Sequence, residues 1–157
     1  MKMSSLIMEQ VYFPELLAPL LRTLIELSSP PWIPSSPSGT AEDDLIVIIS
    51  YKIRSLAKET PFWSAFGLWF TFQPVLVKAK CLTEPGTEPS WQRFRPSSDG
   101  STFVFVARRR IQSYVWNIPP NDRDLLDGVG AWGDDTRKGD DTFETLLLMT
   151  IHEEGEA

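Results

Sequence analysis

The sequence predicts an α+β fold: a single antiparallel or mixed sheet of four to five strands, two short helices and an N-terminal helical appendage. Strand patterning, as β-branched or aromatic runs and as apolar–polar alternation, marks residues 45–54, 68–82 and 102–117, whereas helical spacing of apolar residues is confined to short stretches. Strands and helices do not alternate regularly, which argues against a doubly wound parallel sheet. A chain of 157 residues that is 42% hydrophobic and 23% charged is large enough to bury one core without staples.

Residues 13–27 read as a helix, with Leu17, Leu20, Leu21 and Leu24 at helical spacing and Arg22 and Glu26 facing water. Pro19 costs about 3 kcal/mol in a helix interior, so Phe13–Ala18 is expected as an irregular lead-in. Residues 28–43 follow as a Pro/Ser-rich linker biased to polyproline II, which separates the appendage (1–27) from an α+β domain at 44–157. The run Leu45–Arg54 gives the first strand. Thr60-Pro61 is expected to open a helix and Gly67 to close it. Leu68–Leu82 returns to strand alternation, and Pro74 places it at an edge or a bulge. Within the loop 83–101 a short strand is expected at Trp91–Arg95. Asp99-Gly100 then turns the chain into Thr102–Asn117, whose start is expected to be buried on both faces. Residues 121–141 read as an acidic loop. Thr142–His152 reads as a last strand with Phe143, Thr145, Leu147, Met149 and Ile151 on one face.

Composition narrows the chemistry. One His (His152) and one Cys (Cys81) remove most metal sites and most nucleophile–base systems. No catalytic residue, metal site or cofactor is expected, and an enzyme is the less favoured class. A lone Cys forms no internal disulfide and is expected as a buried apolar residue. No stretch is apolar enough for a transmembrane segment, and Glu9, Pro14, Glu15 and Pro19 interrupt any signal peptide, so an intracellular, cytoplasmic protein is expected, not a secreted one. The net charge of −6 is uneven: residues 118–157 hold eleven acids and three bases, the first 117 residues ten acids and twelve bases.

Two motif matches fail on chemistry. Gly128-Val129-Gly130-Ala131-Trp132-Gly133 satisfies the dinucleotide pattern, yet Asp122, Asp124, Asp127, Asp134 and Asp135 flank it and would repel a pyrophosphate. A calcium loop framed on Gly139 places Lys138 and Thr145 where oxygen ligands belong. His152 has no orienting partner.

Three sets of residues are candidates for binding. Lys52, Arg54, Lys78, Lys80, Arg108 and Arg110 would form a basic face for phosphate or a partner if their strands pair side by side. Pro30, Pro31, Trp32 and Pro34 form a stretch that suits an aromatic groove on a partner. Six aromatics crowd residues 62–72; core packing is their first use, and Trp63, Phe66 and Trp69 are candidates to line a pocket. These features favour a non-enzymatic interaction or structural protein. Its partners would be another protein or a second copy, with nucleic acid or an anionic membrane surface as further candidates. The alternative is a small ligand-binding or cyclase- or isomerase-like protein with an aromatic pocket and a carboxylate acid or base.

The segment Ile49-Ser50-Tyr51-Lys52-Ile53-Arg54 leading to Pro61-Phe62, and the late Leu146–Glu154 stretch, resemble matrix proteins of rhabdoviruses in order and pattern. The resemblance covers about a third of the chain. It implies a viral structural protein, in the host cell and the virion, that self-associates and bridges a nucleocapsid to a membrane. The Pro-rich stretch lacks that family's PPxY budding signal, and the acidic net charge and the absence of an N-terminal basic run depart from what its membrane and nucleocapsid attachment would call for.

Overall fold

The computed structural model describes residues 5–9, 14–32, 45–79, 90–96 and 102–154. The α+β class is observed, and the described residues hold four α-helices and six strands in two sheets instead of a single sheet. The larger sheet has the order β1-β2-β6-β3 and the smaller pairs β4 with β5. Their ranges are β1 Ser5–Glu9, β2 Ile46–Lys52, β3 Phe70–Pro74, β4 Leu76–Ala79, β5 Ser90–Arg93 and β6 Thr102–Arg109. β1 runs parallel to β2, while β2–β6 and β6–β3 are antiparallel. The sheet is therefore mixed.

The helix α1 spans Leu17–Leu27, entered through a 3-10 turn at Pro14–Leu16. Pro19 falls in its first turn, where a missing N–H costs little because those donors lack helical partners in any case. Leu21, Leu24 and Ile25 are fully buried in the same core as Val47 and Phe105. The expected appendage is thus part of the domain core, and α1 lies on the chain path between parallel neighbours β1 and β2. A parallel pair needs such a long crossover.

β2 and β6 show a single buried face each. Val47, Ile49 and Tyr51 point into the core with Phe103, Phe105 and Ala107, while Ile46, Ile48, Val104 and Val106 opposite are half-buried. The start of β6 is therefore not buried on both faces. In register, Ile49 faces Phe105 and Phe72 faces Ala107.

The helix α2 spans Leu56–Trp69 and corrects two expectations. It begins after Ser55, whose carbonyl accepts from Lys58 and Glu59 N–H at 3.0 and 3.1 Å, so Pro61 sits inside the helix and not at its start. Gly67 does not end it. A Cβ there would lie 2.1 Å from Asp140 Oδ1, so its missing side chain makes room for that carboxylate. From Phe62 to Trp69 the helix is buried nearly all round, as befits an element packed between the sheet and other helices.

α3 spans Asp122–Leu126 and α4 spans Thr142–Glu154. The acidic stretch 121–141 is thus more than a loop: Leu125 and Ala131 are fully buried. The expected last strand is helix α4. Phe143 and Leu147, four residues apart, are both buried, and Asp140 Oδ1 accepts from Thr142 N–H at 3.0 Å to satisfy an orphan donor of the first turn. Phe143 stacks on Trp63 at 4.6 Å, which docks α4 onto α2.

Candidate functional site

The expected aromatic pocket is core. Trp63, Phe66 and Trp69 are fully buried, and Trp63 alone meets the rings of Tyr51, Phe62, Phe66, Phe72, Phe105 and Phe143. Tyr51 donates to Glu59, and burial followed by that carboxylate raises its hydroxyl pKa above the ordinary value. A groove of about 170 Å³ on the outer sheet face is lined by Thr71, Phe72, Gln73, Val106 and Arg108. Ligand pockets start at roughly 300 Å³, so this groove is too slight for a small-molecule site. Among the described residues no cluster of His, Cys, Asp and Glu could hold a metal, and no helix is long and apolar enough to cross a membrane.

The basic residues are dispersed by strand pairing. Lys52 faces Thr102 and Arg108 faces Ile46, so the two lie at opposite ends of the β2–β6 ladder. Arg110 lies beyond β6, donates to the Gly67 carbonyl at 2.8 Å and pairs with Asp140 at 3.5 Å. Arg54 follows β2 and is exposed, while Lys78 stands on β4 opposite Trp91. Lys80, Pro34 and Cys81 lie outside the described residues. Pro30, Pro31 and Trp32 are exposed after α1.

What the structure does assemble is an exposed aromatic surface at each end of β6. At the Thr102 end, Pro74 closes edge strand β3 and the chain passes to the second sheet. Val75 forms the joint: its N–H donates to Val104 O and its carbonyl accepts from Phe94 N–H, both at 2.8 Å. The β4–β5 ribbon then exposes Leu76, Val77, Phe94 and Trp91, the last at 65%. Arg93 is buried with its guanidinium 4.1 Å above Phe103, while Lys78 and Arg95 are exposed. Lys52, which faces Thr102 in the ladder, and exposed Arg54 after it lie toward this same end.

At the Arg109 end the chain enters a 3-10 helix, Ile111–Val115, and then packs against the turn Ala131–Gly133. Trp116 bridges them, 5.3 Å from buried Trp69 and 5.2 Å from Trp132. Ile111 (79%), Val115 (86%) and Trp132 (53%) are exposed, with Tyr114 beside them in the 3-10 helix. Trp132 is held at φ +60°, a left-handed conformation that bulky residues rarely adopt. The glycines of the G-x-G-x-x-G run serve this turn. Cβ atoms at Gly128 and Gly130 would lie 2.3 Å from Lys138 O and 2.2 Å from Asn117 O. No strand precedes them, as a dinucleotide site requires.

This end is acidic. The three bases of residues 118–157 are engaged locally, Arg123 and Arg137 with Asp127 and Lys138 with Asp134. Asp135, three residues after Trp132, is exposed, as are Asp141 and Glu144 further along the chain. Hydrogen bonds from Lys138 and Thr136 hold the Asp134 carboxyl down to about 2. Sequence reading missed Trp132 because its exposure and left-handed backbone depend on the fold. The one hint was a Trp set among three glycines.

Beneath the 3-10 helix lies Arg109, only 5% exposed. Its Nη1 donates to Ile25 O at 2.6 Å and to Ser28 and Ser29 Oγ at 3.0 Å each; Nε donates to Ser113 Oγ at 2.5 Å and Nη2 to Ser113 O at 2.9 Å. The rings of Trp69 and Tyr114 flank the guanidinium at 5.4 and 5.0 Å. Burial pulls its pKa down to about 10. These contacts tie the C-terminus of α1 to the end of β6.

No protein family, curated protein or solved structure matches the chain.

Proposed function

We propose that this chain is a non-enzymatic structural protein that assembles head to tail with copies of itself. The supporting observation is the pair of exposed aromatic surfaces of opposite charge at the two ends of β6. Eight residues of strand separate them by about 25 Å. Trp91 with Lys78, Phe94 and Arg95 offers a basic, apolar ribbon. Trp132 with Ile111, Val115 and Asp135 belongs to an acidic, apolar end. Tryptophan anchors dominate binding energy where they enter a desolvated centre, and complementary charge sets orientation and on-rate. Because the surfaces differ and lie apart, their contact is heterologous and gives open chains or rings, not a two-fold dimer. Such assembly is what a matrix-type viral protein would need, and the paired surfaces favour a second copy over nucleic acid or membrane as the partner.

Sedimentation velocity over protein concentration and salt tests this. Species should grow with concentration at low salt and dissociate as salt screens the charges. Trp91→Ser and Trp132→Ser should each stop growth, and an equal mixture of the two should form a dimer and nothing larger, since each retains one working end. A wild-type monomer at every concentration, or larger oligomers from the mixture, overturns the proposal.

A further inference from the structure

We infer that Ser29 is a phosphorylation site whose phosphate is received by the buried Arg109 guanidinium. A guanidinium withdrawn from water is expensive unless charge-paired, yet among the described residues no carboxylate contacts Arg109. Its partners are two backbone carbonyls and the hydroxyls of Ser28, Ser29 and Ser113. Arginine's planar fork suits phosphate better than single hydroxyls, and a charge-assisted hydrogen bond is roughly twice as strong as a neutral one.

Of the two serines on α1's C-terminal end, Ser28 is fully buried and Ser29 half-exposed. Ser29 precedes Pro30, and Pro30, Pro31 and Trp32 are exposed, so the residues a proline-directed kinase reads after its target serine lie on the surface. Ser29 Oγ would attack the γ-phosphorus of a nucleoside triphosphate. The Oγ–P bond forms, the bond from that phosphorus to the bridging oxygen breaks, the nucleoside diphosphate leaves and the hydroxyl proton passes to the kinase base. The phosphate oxygens then stand two bonds beyond an atom already 3.0 Å from Arg109 Nη1.

Two terms oppose this. Ser29 loses its 2.7 Å bond to Ile25 O, and an anion near a helix C-terminus is disfavoured. Ile25 O keeps its donors Ser28 Oγ and Arg109 Nη1 at 3.0 and 2.6 Å, so no carbonyl is orphaned. The full charge on Arg109 outweighs the partial charges of the helix end.

The test treats the full chain with magnesium ATP and a proline-directed serine/threonine kinase, locates the phosphate by mass spectrometry and titrates it by phosphorus NMR. Phosphate on Ser29 is expected. Its second pKa, ordinarily about 6, should fall by about one unit in the folded chain, as a carboxyl's does beside an opposite charge, and return to the ordinary value in urea. Arg109→Lys should keep part of the shift and Arg109→Gln should abolish it; the urea comparison stands even where Arg109→Gln does not fold. A phosphate confined to Ser36 of the second Ser-Pro pair, an unmodified Ser29, or equal pKa values in folded and unfolded chains overturns the inference.

Discussion

Trp63 and Trp132 show two uses of one residue type within a single fold. Trp63 has six aromatic neighbours and is fully buried; Trp132 has a ring contact to Trp116 and is half outside. The first fills the space between α2, α4 and the sheet. The second sits on a turn in a backbone conformation that carries a cost, with about half of its surface exposed. The comparison shows that aromatic richness in this sequence serves the core through residues 62–72 and the surface through Trp91 and Trp132.

The sharpest way to break that contrast is Trp63→Ala, which should lower unfolding free energy by about 3–5 kcal/mol through lost burial and a large cavity, read by urea denaturation. Gly67→Ala comes next. Its new Cβ meets Asp140 Oδ1 at 2.1 Å, so either α2 shifts or Asp140 leaves Arg110 and the start of α4. About 1–3 kcal/mol of destabilisation is expected, as for overpacking elsewhere. Trp132→Gly should change stability by less than about 1 kcal/mol, because relief of the left-handed backbone offsets the lost ring contact. The same variant should abolish concentration-dependent sedimentation, and a large loss of stability would erase the distinction between the two tryptophans.

The smallest effect concerns pH. Asp134 titrates at about 2 against an ordinary 3.8. A depressed acid stabilises the fold above its unfolded value and loses that contribution as pH falls through the folded one. Asp134→Asn should therefore flatten the stability profile between pH 3.8 and 2 and lower the neutral plateau without changing its slope. Thermal melts across that window check it.

Much of the sheet was legible from alternation. β2 and β6 carry β-branched and aromatic residues at period two, and Pro74 marked an edge that β3 does occupy. α4 was misread because Phe143, Thr145, Leu147, Met149 and Ile151 also alternate. Two periodicities fit one apolar run; its length and its content of Leu, Met and Glu favour the helix, and Asp140 decides it by capping the first turn. α2 began earlier than its Thr-Pro pair suggested, since Ser55 supplies the first acceptor. β1 escaped notice because its partner stands about forty residues away along the chain. The basic face dissolved for a related reason: antiparallel register sends Lys52 and Arg108 to opposite ends, and no single strand reveals that.

The joint at Val75 reaches further than its two hydrogen bonds suggest. The ribbon bearing Trp91 leaves the main sheet there, so in the proposed head-to-tail assembly this corner would help set the angle between one subunit and the next. A filament built from such units would inherit its curvature from the backbone torsions of 74–76, and a substitution that stiffens that corner would change the shape of the polymer without touching either adhesive surface.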